Sequence, residues 1–135
     1  SQVWALARRS LRYPIFDSLY PNTTATSSAV ADTFGSWIQI SADIGTTKKL
    51  YYVEVSQLTS NANDRSIQFE IGEGAGGSEV AVARGGYVIG NSMTQGPVVI
   101  PIHLNLTNSA RITVRVRDSV AAALTYSFHL EVGAQ

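Results

Sequence analysis

The sequence predicts an all-β protein, an antiparallel β-sandwich of jelly-roll or immunoglobulin-like type with about eight short strands and an extended N-terminal arm. Three observations predict it. Beyond Asp32 apolar residues recur at every second position, turn-forming residues separate the segments so marked, and no segment carries the three-and-four spacing of an amphipathic helix.

A shift in composition near Asp32 divides the chain into an arm, residues 1–32, and a sandwich domain, residues 33–135. The arm holds Arg8, Arg9 and Arg12 among the apolar residues Val3, Trp4, Leu6, Leu11, Ile15, Phe16, Leu19 and Tyr20, followed by the polar tract Asn22 to Ser28. Pro14 and Pro21 limit any helix to a turn or two. Fully extended, the arm could reach about 100 Å. Apolar side chains on a segment too short to fold alone need a surface to cover them, so Trp4, Leu6, Ile15 and Phe16 are candidates for burial against a neighbouring subunit, with Arg8, Arg9 and Arg12 meeting acceptors there.

In the domain, Phe34, Ile38 and Ile40 alternate with Gly35, Trp37, Gln39 and Ser41, and Tyr51, Val53 and Val55 alternate with Tyr52, Glu54 and Ser56. The same period marks Ile67 to Ile71, Val80 to Val82, a short piece at Tyr87 to Ile89, Val98 to Leu104, Ile112 to Val116, and Leu124 to Val132. Turn chemistry separates them at Asp43 to Gly45, Ser60 to Asp64, Gly72 to Glu79, Gly85-Gly86 and Thr107 to Ser109. The small run Val120 to Ala123 reads as the connection into the last strand. Pro101 cannot donate a ladder hydrogen bond, which places its strand at an edge or a bulge. The expected core is Ile40, Val53, Val55, Phe69, Ile71, Val82, Ile102, Val114, Phe128 and Leu130.

At 135 residues the chain fits one domain that can bury a sizeable core. It has no cysteine, which excludes disulfides, thiol catalysis and thiolate metal sites. Ten basic and ten acidic side chains cancel, so the broad positive field of a nucleic-acid binder is missing and no nucleic acid is expected as partner. No apolar run approaches the length of a membrane-spanning helix, and the N-terminus lacks the apolar centre of a signal peptide, so no membrane partner is expected.

No motif carries recognisable chemistry, and neither catalytic residues, metal ligands nor a cofactor are expected. The loop Gly72-Glu73-Gly74-Ala75-Gly76-Gly77-Ser78-Glu79 lacks the lysine and following helix of a phosphate cradle. Glu70, Glu73, Glu79 and Asp64 lack the tight alternating spacing of a calcium loop. His103 and His129 fall on the polar phase of their strands, with no third ligand and no nucleophile elbow beside them. Two features of the strands invite a functional reading. Arg111, Arg115 and Arg117 project from one strand face, which is an ordinary solvated face or an inter-subunit surface that takes Glu54, Glu70 or Glu131 of a neighbour. Trp37 and Tyr52 also fall on the outward phase, where rings stack on sugars or anchor protein contacts.

The run Phe69 to Ala83, with its Gly-rich turn into a strand, followed by Ile100-Pro101-Ile102 and by Ser109-Ala110-Arg111-Ile112, resembles β-modules of tailed-bacteriophage head-decoration and tail proteins. The resemblance spans Tyr51 to Leu130. Asn108-Ser109-Ala110 departs from the Pro/Gly turn more usual in that pattern. The resemblance implies a non-enzymatic virion structural protein made in the host cytoplasm, a capsid decoration or cement protein. Its implied partners are further copies of itself and the major capsid protein or other virion subunits. The alternative is a carbohydrate- or receptor-binding module of a phage tail that uses Trp37 and Tyr52.

Overall fold

The computed structural model describes residues 16–59, 61–90 and 97–134, with side chains described from residue 23 onward. Among these residues there are eight strands and no helix: β1 (Phe16–Thr26), β2 (Ile38–Ser41), β3 (Lys48–Gln57), β4 (Arg65–Glu73), β5 (Val80–Ile89), β6 (Val98–Asn105), β7 (Ile112–Asp118) and β8 (Thr125–Ala134). They form two antiparallel four-stranded sheets, in the orders β1-β8-β3-β6 and β2-β7-β4-β5.

The pairings β4 with β5, β3 with β6, β2 with β7 and β1 with β8 describe one long hairpin whose tip is the β4–β5 turn. That double ribbon is wound so that β3 also meets β8 and β4 also meets β7. The result is a jelly roll, the first of the two topologies that the sequence left open.

The inner faces follow the period of two. Ile67, Phe69 and Ile71 of β4, Ile112, Val114 and Val116 of β7, and Val53, Val55, Phe128, Leu130 and Val132 of the facing sheet are all buried. Phe69 and Phe128 meet edge to face across the sandwich with ring centroids 5.6 Å apart, and Tyr126 is fully buried beside them. Side chains fill the space between the sheets. Of the expected core, Ile40, Val82 and Ile102 are only partly buried and pack against its margin.

Three expectations are corrected. The sandwich begins at Phe16, inside the segment read as an arm, because β1 pairs with β8 from Phe16 to Thr26. Pro21 and the polar tract hide this strand from the periodicity, and its edge position tolerates the proline through a register shift between Tyr20 and Thr23. Second, Gly85-Gly86 is no turn. Both residues lie in the middle of β5 and are glycines for lack of room: a Cβ at Gly85 would come 2.6 Å from Phe69 Cζ, and one at Gly86 2.3 Å from the Ile67 carbonyl. Third, Phe34 does not share the inner face with Ile38, since β2 starts only at Ile38 and the Phe34 ring lies outside, on β7. Pro101 is on the edge strand β6 beside a register shift, as its missing donor requires.

One end of the core is polar. Arg65 opens β4 and Asp118 closes β7, both pointing inward with side chains fully shielded from solvent, and Arg65 Nε donates to Asp118 Oδ2 over 3.0 Å. The Tyr126 hydroxyl donates to the same oxygen from the opposite sheet, and the Val120 amide donates to Asp118 Oδ1. Burial, then the Asp118 carboxylate, pushes the Tyr126 pKa far above its usual value, so this ring stays a neutral donor.

Removing one member of a buried ion pair strands the other charge. Asp118→Ala should therefore cost about 3 to 5 kcal/mol in urea unfolding. Gly85→Ala should cost about 1 to 3 kcal/mol, although it adds a single methyl group to a strand, because Phe69 must move to admit it. An unchanged midpoint for Gly85→Ala would mean that Phe69 is not packed as described.

Candidate functional site

The outer face of the sheet β2-β7-β4-β5 carries the most organised polar surface of the described residues. Because Val114 and Val116 turn inward, Arg115 and Arg117 stand outward on β7. The register sets Arg115 against Glu70 and Arg117 against Gln68 on β4, and Glu70 against Arg84 on β5. These cross-strand neighbours bond. Glu70 Oε1 accepts from Arg115 Nε at 2.8 Å, Glu70 Oε2 accepts from Arg84 Nε at 2.6 Å, and Arg117 donates to Gln68 Oε1.

Aromatic rings cover this row. Phe34 and Trp37, from the segment leading into β2, hold the Arg115 guanidinium between them, 4.3 Å from each ring centroid, and Arg117 lies 5.1 Å from the Phe34 centroid. Trp37 reaches this place because Gly72 beneath it has no side chain. A Cβ there would come 2.7 Å from Trp37 Cζ3. Beside Phe34 a groove of about 820 Å³ opens, lined among others by Gln68, Glu70, Arg84, Gly86, Val88 and Arg117.

Burial alone would raise the Glu70 pKa, but hydrogen bonds from Arg115 and Arg84, with their charges, outweigh it and hold the carboxyl below the usual range. Arg111, just before β7, donates to Gln39 Oε1, to the Gly74 carbonyl and to Glu79 Oε2. The Gly-rich loop is pinned by these bonds. Glu79 also accepts from the Gly77 amide, and Glu73 from both the amide and the hydroxyl of Thr107.

The structure thus brings Arg111, Arg115 and Arg117 onto one face, and their acceptors lie within the same chain. Glu70, expected to serve a neighbour, serves Arg115 of its own sheet. Trp37 and Tyr52 are on opposite faces of the sandwich. Tyr52 stands beside Glu131 on the other sheet, where burial and a hydrogen bond to that carboxylate raise its pKa. His103 and His129 lie on β6 and β8, and His103 packs edge-on to Tyr51. Among the described residues no group of three His, Cys, Asp or Glu side chains could hold a metal ion. Trp4, Leu6, Arg8, Arg9, Arg12 and Ile15 lie outside the described residues, and Phe16 opens β1.

Sequence reasoning missed Glu70 as the hub of this face, along with Phe34 and Arg84. Period two could have placed Glu70 and Arg84 outward, but only the register makes them neighbours. No protein-family model, curated protein or solved structure matches the chain.

A glutamate pKa lowered by folding means that the unfolded chain takes up the proton first. The Glu70 contribution is complete above the ordinary glutamate range and is lost as pH falls below it. Glu70→Gln should cost about 1 to 2 kcal/mol at neutral pH, less than a fully buried pair because both guanidiniums touch solvent. It should also flatten the acid limb of the stability profile, measured by urea unfolding at stepped pH.

Proposed function

We propose that this chain is a non-enzymatic structural protein of a tailed-phage virion, a capsid decoration or cement protein that assembles with further copies of itself on the major capsid protein. The observation that carries the reading is where apolar side chains remain exposed. Of the five large apolar side chains more than half exposed among the described residues, Val30 and Leu58 lie between strands, while Val80 and Val88 on β5 and Val99 on β6 lie on the two edge strands that run along the same flank of the sandwich. Apolar side chains on a sheet edge are suited to contact with another protein chain. The interior supports the same reading, since Phe69, Phe128 and Tyr126 occupy the space in which a ligand-binding roll would hold its ligand. The run from Phe69 to Ala83 that resembles phage β-modules falls on β4, its turn and the start of β5.

The groove beside Phe34 favours a second reading, a carbohydrate- or receptor-binding tail module, because it sets Gln68, Arg84 and Arg117 around one ring. Trp37 does not line this groove; it lies against the Arg115 guanidinium.

Mass spectrometry of banded virions of the encoding phage should find the chain at a fixed ratio to the major capsid protein, and its absence from virions would overturn the proposal. A chain lacking residues 1–15 keeps all eight strands, so it should melt as the whole chain does while its co-sedimentation with particles falls. Selective binding on a glycan array, lost in Phe34→Ala, would move the assignment to the second reading.

A further inference from the structure

A sheet edge with free backbone groups pairs with whatever strand fits it, and proteins blunt such edges unless pairing is their use. Three of the four edges here are blunted. β1 contains Pro21 and two register shifts, β2 has four residues, and β6 carries Pro101 and His103, the latter at a φ of 57°. β5 has ten residues and no proline. Its stretch Ala83–Ile89 pairs with Ile71–Arg65 of β4 without interruption, and the shift that follows Ile71 leaves Val82 as the extra residue. Among the described residues no strand pairs with the outer side of that stretch, and the Arg84 side chain is 77% and Val88 74% exposed.

We infer that β5 is the contact edge of a two-fold dimer, in which the Ala83–Ile89 stretches of two copies pair antiparallel about Gly86. This narrows the assembly reading to one contact and rests on it. The register is chosen by the sequence of the strand. Centred on Gly86, all seven regular residues find a partner: Gly86 meets Gly86, Gly85 meets Tyr87, Ala83 meets Ile89, and Arg84 meets Val88 of the second copy. Every pair keeps its phase, inward with inward and outward with outward. Each large residue faces a small one or an apolar one, and no two like charges are opposed; the Arg84 stem lies along Val88 of the second copy while its head stays in water.

Charge separates this occupant from the N-terminal segment. Residues 1–15 contain Arg8, Arg9 and Arg12 and no acidic residue, so a strand added from that segment would bring cations beside Arg84.

The chain has no cysteine, which permits a direct test of register. In the double variant Arg84→Cys, Val88→Cys, position 84 of one copy and 88 of the other are directly opposed, within the Cα range of a disulfide. Oxidation should give a covalent dimer. Neither single variant should, because equivalent positions are about 14 Å apart in this register. Sedimentation equilibrium of the whole chain should show a dimer. Val88→Lys opposes a lysine to Arg84 in two symmetric places and should weaken the dimer roughly tenfold, whereas Val88→Glu should tighten it. Both changes sit on an exposed position, so the melting curve serves as a folding control and neither variant depends on the cysteine pair. A chain that stays monomeric to about 1 mM, or a dimer indifferent to both charges, overturns the inference. A dimer lost on deleting residues 1–15 yet indifferent to Val88→Lys also overturns it, in favour of the arm. A β5 dimer absent from virions would remove the virion reading and leave the contact standing, while a virion-bound monomer would do the reverse.

Discussion

The contact between Phe69 and Phe128 sets the terms for the rest of the sandwich. Two large rings meeting at 5.6 Å in the middle of the inter-sheet space fix how far apart the sheets stand. The Phe69 ring also extends sideways into the place where β5 would carry a side chain, so position 85 must be glycine. Gly86, pressed against the Ile67 carbonyl, is glycine for a backbone reason, and the two together leave the centre of an edge strand without side chains. A requirement of the core is thereby exported to the molecular surface, where Gly85 and Gly86 belong both to the lining of the groove beside Phe34 and to a stretch of edge without side chains.

The polar residues divide into two populations with different physical standing. Arg65 and Asp118 are fully shielded and lie where the ribbon of strands passes from one sheet to the other. Their pairing with Tyr126 joins the two sheets by directional bonds at a place where apolar packing alone would allow the sheets to slide. The surface row of Trp37, Arg115, Glu70 and Arg84 runs across the strands of one sheet, and both arginines keep contact with water. Such a row orders the sheet laterally and adds less to stability than its bond count suggests. An arginine held between two rings with its fork on a carboxylate has little left to offer a partner, so Arg115 is better understood as the lateral tie of its own sheet.

How much of this was legible in the sequence follows from the range of each interaction. Period-two alternation is local, and it placed seven of the strands on the chain and most of the core, including Val53, Phe69, Val114 and Leu130. β1 escaped because Pro21 and a run of threonines and serines erase alternation, which an edge strand can afford to lose. Gly85-Gly86 was misread because glycine has one letter for two causes, the permissive turn and the close approach, and only the position of Phe69 on a different strand tells them apart. The Arg65–Asp118 pair left a readable trace that the alternation contained: Arg65 shares its phase with Ile67 and Phe69, and Asp118 shares its phase with Val114 and Val116. A charge on the apolar phase of two strands is a signal that they meet.

An eight-stranded roll must end its sheets somewhere, and the hairpin that builds this one puts β5 at an edge next to its own tip. The three other edges each carry a device that discourages pairing, whether a proline, a bulge or mere shortness. On β5 the corresponding place is taken by the two glycines that the core and the β4 backbone demand, and glycine opposes nothing to an incoming strand. The packing inside and the shape of the edge outside then follow from the same two residues: a side chain added at position 85 crowds Phe69, one added at position 86 meets the Ile67 carbonyl, and either also alters the edge. Stability of the fold and the side-chain-free centre of the β5 edge are coupled through positions 85 and 86.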